Sequence, residues 1–186
     1  MFRYLRFKNM PTRSRTVLIF SLSLVVFYAG YFAFLEHKES EARQTYQQLR
    51  EHDPQAYLAR VETLRGFDAY LAEFTKLNHY DRPKSTVPPF LLGRWAVFEE
   101  PQRVKENYFP ERCMNGLMIE DGKIKTFGRE AREYNVRYKI AGDTVVGATP
   151  NGPGFSIKPV AYTSHIHHLV VDAPGRQRPL YAYMCK

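Results

Sequence analysis

Between Thr16 and Leu35 the chain reads TVLIFSLSLVVFYAGYFAFL, with no charged side chain. No other feature narrows its fold as much. A helix of about 20 residues rises about 30 Å, the thickness of the hydrocarbon core of a bilayer. The hydroxyls of Thr16, Ser21 and Ser23 are able to bond back to helix carbonyls, so they do not bar insertion. Tyr28, Tyr31 and Phe32 gather toward the far end of the run, where ring side chains suit the membrane interface. A cleaved secretory signal is the competing reading. It requires a shorter apolar core with small residues after it, whereas Tyr31, Phe32, Phe34 and Leu35 close this run. Residues 16–35 therefore read as an uncleaved transmembrane helix whose partner is the lipid bilayer.

Charge sets the orientation. Arg3, Arg6, Lys8, Arg13 and Arg15 precede the span without an acid among them, and Glu36, Glu39 and Glu41 follow it together with Lys38. The positive-inside rule places residues 1–15, a basic arm, in the cytoplasm and everything after Leu35 across the membrane. The formal net charge of +8 draws heavily on those five cations, so the exported part is close to balanced. The arm carries no folded reader module, and nucleic acid is not an expected partner.

The exported part divides by composition. Glu36 to His52 is rich in Glu, Gln, Arg and Ala, which suits a solvated helix continuing the span. Asp53-Pro54 then reads as an N-cap with proline in the first turn. After it, Leu58, Val61, Leu64, Phe67, Leu71, Phe74 and Leu77 recur at spacings of three and four, one apolar stripe on a helix. Gly66 interrupts the stripe and is expected to bend or break it. The stripe has two destinations, this chain's own β domain or the helix of a partner. In the second case Leu58, Val61, Leu71 and Phe74 form the partner-binding strip. Residues 36–78 are thus a helical stalk, and residues 79–89, with three prolines (HYDRPKSTVPP), are a linker.

From Phe90 onward the period changes to two. Glu120-Asp121-Gly122-Lys123 between apolar runs is a hairpin signal, and Gly142-Asp143 is a second turn. About seven short strands fill residues 90–186 without a helical pattern among them. The expected fold is α+β and membrane-anchored: one N-terminal transmembrane helix, a helical stalk, then a small antiparallel β-barrel or sandwich.

Leu92-Gly93-Arg94-Trp95, opening a β meander that continues through a long loop into hairpins, resembles the Gly-x-Trp start of lipocalin-like and related small barrels. The resemblance implies that Gly93 and Trp95 close one barrel end, with Arg176 or Arg178 from the last strands packed near the indole. The order of basic arm, single span, stalk and β domain also resembles small bitopic proteins of the Gram-negative envelope. That implies the bacterial inner membrane, with the N-terminus cytoplasmic and residues 90–186 periplasmic.

Two cysteines are too few for a four-cysteine metal module. Cys113 and Cys185 both fall on the exported side, and an even count in an oxidising space favours a disulfide, tying the last strand to the loop after the first. Among histidines, His165 and His167 would share one face of a strand and His168 the other. Two ligands do not make a zinc site, so ordinary surface histidines are the expectation and no metal or other cofactor is assigned. No Gly-x-Ser-x-Gly elbow, Walker loop or His-Glu-x-x-His occurs, and no catalytic residue is assigned.

Two non-enzymatic functions remain. The first is an accessory or regulatory subunit docking onto an envelope complex of the secretion, pilus, export or motor type, with other envelope membrane proteins as partners. The second is a membrane-tethered lipocalin-like binding module for a small apolar or envelope-derived ligand. An exposed strip at Leu58, Val61, Leu71 and Phe74 would favour the first. A barrel filled by Trp95, Phe98, Tyr138 and Val170 would oppose the second, and a cavity of several hundred Å³ would favour it.

Overall fold

The computed structural model describes residues 12–102, 110, 113–128, 131–150, 152–162 and 165–185. Residues 1–11, most of the basic arm, lie outside that set. The chain forms two compact units that divide between Asp53 and Pro54.

The first unit contains α1, one unbroken helix of 41 residues, Thr12–His52. The apolar run and the polar run after it therefore share a single rod, as the composition of Glu36–His52 suggests. Every side chain from Phe20 to Leu35 is exposed, Phe27 to 72%. By length and composition α1 is able to cross a membrane. Its polar half carries pairs one turn apart, Lys38–Glu41 at 2.8 Å and Arg43–Glu39 at 2.6 Å, each adding about 0.2–0.5 kcal/mol to an exposed helix.

The second unit begins with α2 (Pro54–Arg65) and α3 (Phe67–Leu77). The break between them is Gly66 at φ 83°, a left-handed backbone that glycine adopts without a Cβ penalty. Both helices belong to the same compact unit as the β domain, so the stalk expected over 36–78 ends at His52. Most of the stripe is spent inside this unit, although Leu64 stays 61% exposed. Leu58, Val61, Leu71 and Phe74 are all buried, so the usual fate of an amphipathic helix, packing within its own domain, applies. Phe67 and Phe74 also close on Phe90, with ring centroids 5.6 and 5.7 Å away.

Among the described residues nine strands follow: β1 (Gly93–Phe98), β2 (Gly116–Glu120), β3 (Lys123–Phe127), β4 (Arg132–Asn135), β5 (Arg137–Ala141), β6 (Thr144–Thr149), β7 (Gly152–Tyr162), β8 (His165–Asp172) and β9 (Leu180–Met184). They form one antiparallel sheet in the order β4-β3-β2-β1-β9-β8-β7-β6-β5. The count exceeds the expected seven partly because the alternating run around Tyr134 to Ile140 is two strands. The edge strands β4 and β5 are consecutive in the chain, with only Val136 between them. The sheet therefore curls into a nearly closed barrel whose two edges are the two halves of one bent segment. Val136 marks the bend; it is buried, and its N–H donates to Gly122 O at 2.8 Å.

Residues 79–89 are not a free linker. A sheet edge inside a fold must find partners for its N–H and C=O groups, and this segment supplies them. Lys84 and Tyr138 exchange backbone bonds of 2.9 and 2.7 Å, and Ile140 N–H donates to Tyr80 O at 2.8 Å. The strap then reaches the β2–β3 turn, where Gly122 N–H meets Ser85 O and Val87 N–H donates to Asp121 Oδ1. The Tyr138 phenol, wholly buried, reaches the carbonyls of Glu120 and Lys123 at 2.9 and 3.1 Å and pins the seam from within.

Inward positions alternate along the strands as the pleat requires. Trp95, Ile119, Tyr138, Val145, Ile157 and Leu169 are at 0% exposure and form the barrel core. The β2–β3 hairpin has Asp121-Gly122 as its two-residue loop, with Glu120 opposite Lys123. Cys113 and Cys185 form a disulfide with their Cα atoms 6.2 Å apart, spanning 72 positions of sequence.

Candidate ligand-binding cavity

The core does not fill the barrel from end to end. At the end marked by the β5–β6 turn, Trp95 takes up the interior, and its indole N–H donates to Leu91 O at 2.9 Å. Toward the opposite end, between the β6–β7 turn and the β8–β9 connection, a cavity of about 640 Å³ remains. Its walls are Leu117, Ile124, Phe155, Ile157, Val171 and Leu180, with Tyr134, Pro150 and Pro174 around the mouth. Tyr134, Pro150 and Pro174 are exposed, so the space reaches the surface.

One glycine shapes this end. A Cβ on Gly147 would collide with the Phe155 ring, its cross-strand neighbour. Glycine lets the ring lie flat against the strand and leaves the lumen beyond it open. Phe98 and Val170, two of the side chains expected to plug the interior, alternate to the other face instead, where Phe98 packs edge-on against Tyr183 at 5.7 Å.

Polar groups on the lining are few. Thr126, Asn135 and Thr149 are neutral, and the Thr149 hydroxyl is buried with no hydrogen-bond partner among the described residues. Among the described residues, Glu133 and Arg176 are the two charged ones on the lining. Glu133 is held by Lys123 at 2.6 Å, and that hydrogen bond keeps its carboxyl below the usual glutamate range. Arg176 Nη2 meets Glu99 Oε1 at 3.2 Å.

No protein-family model matches this chain, and no curated protein or solved structure matches it. The reading of the site therefore rests on its geometry.

The residues singled out by sequence fall in different places. Gly93 has φ 131° at the start of β1, which only glycine tolerates readily, and Trp95 lies two residues on in the sealed end. Arg176 is engaged by Glu99, just past the end of β1 and four residues after Trp95, and Arg178 is exposed in the β8–β9 connection. The cation beside this stretch of β1 is Arg94, which lies over the Phe127 ring at 4.9 Å.

The histidines are arranged differently from simple alternation. The β7–β8 register shifts between Val160 and Ala161, pairing Val160 with His168 and Ala161 with Ile166. His167 is therefore the extra residue of a bulge, which re-aims its side chain. It meets His168, Nδ1 to Nδ1 at 2.8 Å, so one ring donates a proton that the other accepts. His165, paired across the ladder with Tyr162, stays on the face where His167 meets the Tyr162 ring at 5.0 Å, as expected; His168, expected on the other face, is the residue the bulge moves. Among the described residues no three His, Cys, Asp or Glu side chains come together to hold a metal. The pair sits beside Tyr181 and Tyr183, with His168 stacked on Tyr183 at 5.4 Å. Burial and the neighbouring His167 hold the His168 imidazole below its ordinary range.

Sequence reasoning missed the cavity itself. The nearest signal was the pairing of a small residue at Gly147 with a large one at Phe155, which becomes visible only once the β6–β7 register is known.

Proposed function

We propose that the chain is a non-enzymatic binding module that holds a small, mainly apolar ligand in its barrel and is tethered to a membrane by α1. The observation carrying this reading is the open cavity of about 640 Å³. Its size falls within the usual 300–1,000 Å³ of ligand sites, and apolar walls with a few placed polar groups are their usual composition. The docking-subunit reading loses its main support, because the four side chains it needed on the surface are buried.

The tether reading rests on the apolar, exposed side chains of α1, which in water would leave a large uncovered hydrophobic surface. Charge asymmetry across the span favours a cytoplasmic N-terminus. The Cys113–Cys185 bond favours an oxidising compartment for the barrel. Together these fit the periplasmic face of a bacterial inner membrane.

The test is chemical extraction of the full-length protein purified from membranes, with mass spectrometry of the released small molecules. The expected result is an apolar species enriched over an unrelated single-span protein. A variant whose cavity is filled, Leu180→Trp with Ala173→Phe, should lose that enrichment while melting at a similar temperature. Equal extracts from wild type, filled variant and control would refute the proposal.

A further inference from the structure

Resting on the binding reading above, we infer that the ligand is a single-chain amphipath with an anionic head, and that Arg176 is the headgroup anchor at the cavity mouth. The lining separates sharply by chemistry. Leu117, Ile157, Val171 and Leu180 face the interior with hydrocarbon, which suits an alkyl chain, and the polar groups beside them, Thr126, Asn135 and Thr149, are neutral. Charge appears only as Glu133 and Arg176 among the described lining residues, and the two are not equivalent.

Glu133 is already neutralised. Lys123 sits 2.6 Å away with matched exposure of 47% on each side, so a cationic head gains little there. Arg176 is committed less firmly. One terminal nitrogen meets one oxygen of Glu99 at 3.2 Å, and that Glu99 side chain is 81% exposed. Surface pairs of this kind contribute little. A guanidinium presents five N–H donors in a rigid fork, so a single contact leaves an edge able to take a carboxylate or phosphate through paired hydrogen bonds. A ligand whose chain fills the lumen brings its head to the rim, where Arg176 is, among the described lining residues, the cation available to receive it. A cationic head would meet that guanidinium without compensation, and a neutral head would forgo its strongest donor.

Fatty carboxylates and monoalkyl phosphates share this chemistry, and the experiment separates them. Full-length protein in neutral phosphatidylcholine nanodiscs is loaded with 1-aminoanthracene, an uncharged probe. Dodecanoate, dodecyl phosphate, dodecanol and dodecyltrimethylammonium then compete for it, with empty nanodiscs as the blank. At least one anionic competitor should displace the probe about tenfold more tightly than dodecanol, the scale of one charge-assisted contact, and the tighter of the two identifies the head. Dodecyltrimethylammonium should be the weakest of the four. Arg176→Gln should erase the anionic preference, so that the anionic chains compete no better than dodecanol does in the same variant, and Arg176→Lys should keep part of it. Glu99→Gln, which releases the guanidinium, should strengthen the anionic arm. Equal binding of all four chains, or an anionic preference surviving Arg176→Gln, overturns the headgroup assignment and leaves the apolar cavity standing. Failure of every chain to displace the probe removes the binding reading as well.

Discussion

Replacing Cys113 and Cys185 by alanine should cost the barrel a large part of its stability. The bond closes a loop with a sequence separation of 72. The chain-entropy relation for a loop of that length gives about 4 kcal/mol at 25 °C. The unit that bears it, Pro54–Lys186, is roughly 130 residues long. At about 2.1 cal/mol/K per residue its unfolding entropy is about 0.27 kcal/mol/K, so the melting temperature should fall by about 15 °C. The location makes such an effect local as well as global. Apart from the bond, the end of β9 is secured beyond its ladder by Cys185 N–H donating to Arg94 O at 2.8 Å, and Arg94 adjoins the sealed end at Trp95. The assay is thermal unfolding of the full-length protein followed by near-ultraviolet circular dichroism. Both single variants should melt with the double one, because losing either sulfur loses the whole bond, and the effects should be strongly non-additive. A drop below about 3 °C, which is under about 1 kcal/mol for a unit of this size, would refute the staple.

Other outcomes follow from single groups. Tyr138→Phe removes the phenol that reaches both carbonyls of the β2–β3 turn, and should cost about 1–2 kcal/mol in urea denaturation; no measurable loss would mean the seam is held by the strap alone. Because burial holds His168 below its ordinary value of 6.5, the stability it contributes is present above pH 6.5 and is lost as pH falls from there through its folded-state pKa. Melting temperatures from pH 7.5 to 5 should therefore fall less steeply in His168→Gln than in wild type, and identical slopes would contradict the assignment. Alkaline phosphatase joined after Lys186 should be active in bacterial cells, as the cytoplasmic N-terminus requires; a full-length but silent fusion would reverse the orientation.

The elements legible in the sequence are those fixed by local chemistry. The uncharged run into Leu35, the Asp121-Gly122 hairpin and the helix break at Gly66 each follow from a few adjacent residues, and each stands where the sequence put it. What stayed hidden depends on distant partners. Three prolines made residues 79–89 read as a linker, because proline marks irregular backbone but says nothing of which sheet edge that backbone serves. The bend at Val136 turned one alternating run into two strands, and alternation alone carries no information on where a strand changes neighbours. A single inserted residue at His167 brought His168 to the face where it was not expected, since a bulge shifts every later side chain by one face. The apolar stripe was found, but its destination required knowing that Phe90 and the barrel stood ready to cover it. The cavity is the extreme case. It is what remains after packing, and only the register that sets Gly147 against Phe155 reveals it.

The most direct measurement uses the chain's only tryptophan. Trp95 lies at the sealed end of the barrel, directly across the ladder from Leu117, and Leu117 lines the cavity. A neutral aromatic probe bound in the lumen should accept excitation energy from that indole. Titrating full-length protein in nanodiscs should give transfer that saturates at one probe per chain and disappears when Val171→Phe and Ala173→Phe fill the space. Transfer that rises without saturating, or that persists unchanged in the filled variant, would show that the barrel has no internal site and would contradict the binding function.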